Sequence, residues 1–364
     1  MDIRSTKLFK FWERYEHHIG LGALAAGFFF DLIIADRPDS VFNNLLLLFY
    51  LIVAGAFIIL LNIQKRRRQD VEPFFMLLIL QFCFGGLASN LLVLYGRSGT
   101  LAGSAVFLAM LVALILGNEY LRNRYSLLRF NVGVYYFLLL SYCVIAVPTF
   151  ITKSIGLWPF ILSGLTSLVF IAIFLTALFF LVFRGKDFEG LQIVSGIVGL
   201  IFICFNLLYF INVIPPVPLS LKTIGVYHSV LKRSDGDYVV LYEREPWWEF
   251  YRSSASTYTI GDGAGGREAF CFSSVFAPTN LEAPIYHKWE KYDESTREWR
   301  TQSRISFPIA GGRDGGYRGF SRVSLLTPGE WRCSVETAQG QLIGRVGFTA
   351  TPASVTAPLS QKTL

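Results

Sequence analysis

Charge is what this chain has least of. Asp, Glu, Lys and Arg make up 16% of its 364 residues, against 53% hydrophobic residues and a mean hydropathy of +0.46. So little charge over so much apolar sequence excludes an ordinary soluble domain. Cysteine is scarce too, at five residues. No Cys-x-x-Cys pair or Cys/His cluster occurs, which removes the sequence patterns of structural zinc. The net charge of +7 does not signal a nucleic-acid partner. Residues 1–221 hold 16 basic and 11 acidic side chains and the remainder 17 and 15, so the excess sits in short loops. A nucleic-acid binder concentrates it on a folded face. No nucleic acid, metal or cofactor is expected.

What is present is organised around Ile214-Pro215-Pro216-Val217-Pro218-Leu219-Ser220-Leu221-Lys222. Proline lacks the N–H and fixes φ, so this stretch ends a helix and predicts a stiff extended spacer. The expected organisation is an interfacial cytoplasmic segment at 1–17, a seven-helix transmembrane domain at 18–214 and a Pro-rich linker at 215–222. An extracytoplasmic β-domain at 223–350 and a disordered tail at 351–364 complete it. Apolar blocks near 18–35, 42–63, 74–95, 101–117, 130–150, 158–183 and 191–214 are each of the order of the ~20 residues that cross a bilayer. Thirteen basic residues fall on one side of these spans: Arg4, Lys7, Lys10, Arg14, Lys65 to Arg68, Arg122, Arg124, Arg129, Arg184 and Lys186. Only Arg37, Arg97 and Lys153 fall in short loops on the other. Basic loops stay in the cytoplasm. The N-terminus is therefore expected in the cytoplasm and the C-terminal part outside it.

Within the spans, Asp31, Asn90 and Asn206 share a similar depth toward the outer face. Such groups are costly in lipid and point into the bundle or a wet cavity. They are candidates for one outward-facing pocket, with interhelical hydrogen bonding as the plainer alternative. No histidine, acid pair or Gly-x-Ser-x-Gly element accompanies them, so no hydrolytic constellation is readable there.

After Thr223 the hydrophobic period changes to two. Val226, His228 and Val230 alternate with Tyr227 and Ser229, Ser234-Asp235-Gly236 supplies a turn, and Val239 to Tyr242 runs back. Residues 253–266 are Ser/Gly-rich and expected to form a mobile loop. Further strands are expected at 267–277, 284–292, 297–308, 317–325, 330–337 and 341–350. The fold class is therefore an all-α transmembrane bundle of seven helices followed by an all-β, immunoglobulin-like antiparallel sandwich. Ile285, His287 and Trp289 share one strand face, as do Trp331, Cys333 and Val335. Cys271 and Cys333 are candidates for a disulfide in an oxidising compartment, or else for two buried thiols. Gly311 to Gly319 sets five glycines around Arg313 and Arg318. Two guanidiniums beside mobile backbone suit an anion, so His287, Arg313, Tyr317, Arg318 and Ser321 are candidate ligand-binding residues. The plainer reading makes Arg318 a brace for the loop.

The runs Pro284 to Glu290 (with His-x-Trp), Phe307 to Ser321 (ending Arg-x-x-Ser), Pro328-Gly329-Glu330-Trp331-Arg332 and Gly340 to Phe348 together resemble the bacterial domain of unknown function numbered 2914. The stretches Gly27-Phe-Phe-Phe-Asp31, Asn118-Glu-Tyr-Leu-Arg122 and Pro215-Pro-Val-Pro-Leu219 look like the membrane half of such proteins. The resemblance implies the architecture and no activity. The reading that follows is a non-enzymatic envelope protein whose β-domain binds a protein, glycan or lipid headgroup. The alternative is a small-molecule transporter or membrane-embedded enzyme working at Asp31, Asn90 and Asn206.

Overall fold

The structure is a computed structural model that describes residues 31, 33, 35, 37–67, 74–120, 127–244, 254–261, 267–279, 281–312, 315–352 and 358–364. Among these, six helices precede eleven strands. The helices are α1 (Val41–Arg67), α2 (Phe74–Arg97), α3 (Leu101–Tyr120), α4 (Leu128–Ala146), α5 (Leu157–Leu181) and α6 (Phe188–Phe210). Five are long and apolar enough to cross a membrane, and Gly103–Ile115 within α3 adds a shorter apolar helix. Seven helices were expected and six are described. The expected span at 18–35 and the interfacial segment lie outside the described residues, apart from Asp31, Ile33 and Ala35.

The chain divides into two compact units. In the helical unit, α4 is buried on nearly every face and carries Tyr136, Leu138 and Ile145 without exposure. Tyr95, Phe107, Phe137 and Phe205 meet there with ring centroids 4.7 to 6.2 Å apart, a spacing at which aromatic pairs attract beyond their burial. α4 ends in a π-turn over Val147–Thr152, where Pro148 denies the backbone a donor. α6 starts at Asp187, whose carboxylate accepts the Gly190 N–H at 2.8 Å, meeting an otherwise orphaned donor. Large apolar side chains of α1, α5 and α6 are exposed, among them Ile52, Phe49, Val169, Ile173, Phe180, Leu200 and Leu207.

The second unit holds the strands together with Gly96–Ala105 and Pro148–Pro159. The strands are β1 (Ser220–Tyr227), β2 (Ser229–Lys232), β3 (Tyr238–Glu243), β4 (Thr257–Ile260), β5 (Ala269–Phe276) and β6 (Glu282–Asp293), then β7 (Glu298–Ala310), β8 (Tyr317–Val323), β9 (Gly329–Thr337), β10 (Leu342–Pro352) and β11 (Leu359–Thr363). They form three sheets, ordered β1-β5-β8, β4-β10-β9-β6-β7 and β11-β3-β2. All pairings are antiparallel except β10 with β4. The first two sheets share one core, in which Val226 and Cys271 of one meet Trp289, Trp331, Cys333 and Phe348 of the other. The β2–β3 hairpin turns through Gly236 at φ +92°, a backbone region that glycine enters without steric cost.

Three expectations about segments outside the expected strands are corrected. The Pro-rich stretch is not a free spacer: residues 214–220 are buried and turn through Val217 N–H to Pro215 O (2.8 Å) and Leu219 N–H to Pro216 O (3.1 Å). Its proline and leucine side chains are apolar surface that the β-rich unit absorbs, and Leu219 joins a core cluster with Ile285 and Val335. Nor is the end of the chain free of structure, because β11 pairs with β3 from Leu359↔Glu243 to Thr363↔Val239. Paired on one side with β2 alone, β3 offers an open edge, and the tail's backbone fills it. In the Ser/Gly-rich stretch, Thr257–Ile260 is strand β4 rather than loop, and 262–266 lie outside the described residues.

Candidate functional site

Strand β6 sends alternate side chains to opposite faces, and its inward set is Ala283, Ile285, His287 and Trp289, all buried. The inward position of a histidine brings polar partners with it. His287 Nε2 lies 2.7 Å from Ser273 Oγ of β5, and its Nδ1 lies 2.9 Å from Ser321 Oγ of β8. Trp289 Nε1 donates to the same Ser321 Oγ at 2.9 Å. A neutral imidazole has one donor and one acceptor nitrogen, so one serine donates to the ring and the other accepts from it. Burial pushes His287 down to about 3, because the charged ring cannot be solvated there. Beside it Cys271 of β5 and Cys333 of β9 are joined, with S–S 2.09 Å, tying two sheets together.

His287 and Ser321 thus meet in the core rather than on a surface. Arg318 and Tyr317 of the expected loop site are placed elsewhere. Arg318 Nη1 donates to Asp237 Oδ1 in the β2–β3 turn at 3.0 Å. Tyr317 is half-buried against the core cluster of Leu219, Val275 and Ile309. Arg313 lies outside the described residues. The glycines have steric reasons of their own. A Cβ on Gly311 would sit 1.7 Å from Pro278 O, and one on Gly319 would sit 2.8 Å from the Phe307 ring. That ring packs edge-on to His287, with centroids 4.7 Å apart.

The outward face of the five-stranded sheet carries the charge. Lys288 and Arg332 both pair with Glu290, at 2.9 and 2.6 Å. Arg304 pairs with Glu336 at 2.7 Å and lies 3.9 Å over the Tyr286 ring, while Arg332 lies 4.1 Å over Trp299. Burial would raise the Glu290 carboxyl, but the bonds and charges of Arg332 and Lys288 prevail and hold it below its ordinary value. Arg345, from β10, is different. It donates to the neutral hydroxyl of Ser334 at 2.9 Å, and no ion pair engages it among the described residues. Burial first, and then the neighbouring Arg332 charge, lower its affinity for its proton, against the opposing charges of Glu290 and Glu336. Trp299 and Arg304 share this face because the β6–β7 register shifts between Trp289 and Glu290, and the network as a whole needs the β10-β9-β6-β7 order.

A histidine–carboxylate contact elsewhere in the unit escaped the sequence. His228 Nε2 meets Glu243 Oε1 at 2.8 Å and stacks on the Tyr258 ring at 4.0 Å. Glu243 also accepts the Thr259 N–H at 2.6 Å and its hydroxyl at 3.1 Å. Burial opposes this charge, yet the His228 and Thr259 bonds leave the carboxyl below its ordinary value. The only hint in the sequence was that His228 shares an alternating face with Val226 and Val230.

In the helical unit, Asn90 and Asn43 exchange amide hydrogen bonds at 2.7 and 3.1 Å, both fully buried. Asp31 is buried beside Ser89 and Asn90. Asn206 instead donates to Phe202 O of its own helix at 2.8 Å. Two of the three residues expected at one pocket are therefore brought together.

Residues 282–350 match the family described as "Protein of unknown function (DUF2914)". They run from β6 to β10 and so contain His287, Ser321, Cys333 and the charged face. No curated protein matches the chain. Among solved structures, the alkylpurine DNA glycosylase AlkC of Pseudomonas fluorescens, bound to DNA containing an abasic site analog, aligns at 10% identity with a TM-score of 0.24. The alignment covers 86% of this chain and 99% of that one. At that score the likeness carries no argument.

Proposed function

We propose that a chain carrying this domain of unknown function at its C-terminal end is a non-enzymatic protein of the bacterial inner membrane. Its helices anchor an immunoglobulin-like β-sandwich outside the cytoplasm, and the sandwich binds an envelope protein, glycan or lipid headgroup. The exposed apolar side chains of α1, α5 and α6 support the anchor, since a surface of that kind is stable against lipid and not against water. The asymmetry of basic loops supports the orientation. The compact β-unit also includes the segments after α2 and after the π-turn of α4, with Glu282 N–H bonded to Lys153 O at 3.3 Å. Those segments are the ones poor in basic residues.

The observation that carries the binding role is the outward sheet face. Arg345 stands there with a neutral partner, next to an Arg332 that one ion pair and an aromatic ring hold in place. A guanidinium whose direct hydrogen bond is to a neutral hydroxyl, with Glu290 and Glu336 acting on it only through their charge, suits a phosphate or carboxylate on the ligand. The test compares wild type with Arg345→Gln, both full-length in detergent, for capture of crosslinked envelope components and for melting temperature. Capture should fall at least about tenfold, the equivalent of ~1.4 kcal/mol, with melting unchanged. Equal capture by the variant removes the face from consideration.

The buried cluster of Asp31, Asn43, Ser89 and Asn90 favours a second reading, a small-molecule transporter working in the bundle. Loss of a transport phenotype in Asn90→Ala, with capture intact, would select that reading instead.

A further inference from the structure

The core of the β-rich unit holds more polar chemistry than packing requires. His287, Ser273, Ser321 and the Trp289 indole N–H all meet in a region where apolar side chains would fill the space and need no partners. Immediately beside them are two sulfurs. One ligand-type atom each from Cys271, His287 and Cys333 lies within 4.8 Å of the others. We propose that, when the Cys271–Cys333 bond is reduced, this cluster binds a single Zn2+ through both thiolates and the His287 imidazole.

The donor set selects the ion. Two thiolates and one imidazole, with no carboxylate among them, suit a borderline-soft d10 cation and not Mg2+ or Ca2+. The strands hold the donors in place: Cys333 is register partner to Trp289, and His287 to Val335, while Cys271 is register partner to Ser321. Whichever ring nitrogen turns to the ion gives up its serine. The remaining serine then fixes the tautomer, as outer-shell partners of zinc-bound histidines do. The electrons balance with a dithiol as reductant. It delivers two electrons and two protons to the S–S bond and becomes a disulfide, and Zn2+ then displaces both thiol protons. The two sheets stay tied in either state, by sulfur–sulfur or by sulfur–zinc–sulfur. The inference is independent of the ligand-binding role proposed above.

The test uses the full-length protein in detergent with Cys83, Cys143 and Cys204 replaced by alanine, leaving only the two core cysteines. The bond is reduced with a phosphine, which takes up oxygen from water, and the phosphine is removed without air. Co2+ is then added as a spectroscopic probe. The reduced protein should show thiolate-to-cobalt charge transfer saturating at a single ion and bleached by Zn2+, and the oxidised protein should show none. Ser273→Ala or Ser321→Ala should weaken binding about 10–100-fold, the usual effect of losing an outer-shell partner, and His287→Ala should abolish the tetrahedral spectrum. Three results would overturn the proposal: a folded reduced chain with no charge transfer, unchanged uptake by His287→Ala, or a reduced chain that unfolds and is not restored by Zn2+.

Discussion

Single residues in the β-rich unit divide by what surrounds them. Gly311 has no room for a side chain, because Pro278 O occupies the place of its Cβ. Gly311→Ala should therefore lower stability by about 1–3 kcal/mol or more, as overpacking does. Arg318→Ala removes only a half-exposed ion pair with Asp237 and should cost about 0–1 kcal/mol. Melting curves of the two variants decide whether this segment is a packing element: a Gly311→Ala protein that melts like wild type would argue against it. His287 makes a prediction about acid. Its folded value of about 3 lies below its ordinary 6.5, so between those values the unfolded chain binds a proton that the folded chain refuses. Stability therefore falls as pH drops from 6.5 toward 3. Glu243 and Glu290, held below their ordinary 4.5, contribute stability that is present above that value and is lost further into acid. Denaturant titrations of His287→Asn should show the loss between 6.5 and 4.5 flattened and the more acidic loss retained. An unchanged slope in that upper window would mean that His287 charges in the folded state.

At the scale of elements, β3 is the clearest case of a strand completed from afar. Its partner β2 comes through the turn signal Ser234-Asp235-Gly236 that is readable in the sequence, and its partner β11 comes from residues 359–363. Leu364 and Tyr238 also exchange backbone bonds at 2.8 and 3.3 Å, closing the sheet's end. Deleting residues 359–364 should leave one edge of β3 without partners. Hydrogen exchange at Tyr238, Val240 and Tyr242, whose amides face β11, should then speed up markedly, while β6 and β9, in another sheet, stay protected. Uniform protection in the truncated protein would show that β11 adds nothing to β3. The same contrast explains the Pro-rich stretch. Prolines forecast the end of α6, but whether the segment hangs free or is buried depends on the apolar surface waiting for Leu219.

For the whole molecule, the decisive measurement is orientation. A reporter that works only outside the cytoplasm, fused after Leu364, should be active, and one that works only inside should be silent. The reverse pattern would invert the assignment built on thirteen basic residues against three. Much of the architecture was legible in the sequence alone. Helices long enough to cross a bilayer announce themselves by length and by the cost of charge in lipid, and strands announce themselves by a period of two. Both signals are local, so β5 to β10 fall within a few residues of their expected places. The sequence also put His287, Trp289, Cys333 and Val335 on inward faces, because alternation requires it. What faces what was settled only by tertiary structure. Arg318 finds Asp237 across 81 positions, and His287 finds Ser321 across 34. Glu243 finds Thr259 from another sheet, and Asn90 finds Asn43 on another helix. Strand order and helix packing make these choices. They follow from which edges and apolar faces remain unsatisfied once the local elements exist, and no pattern within one segment records that.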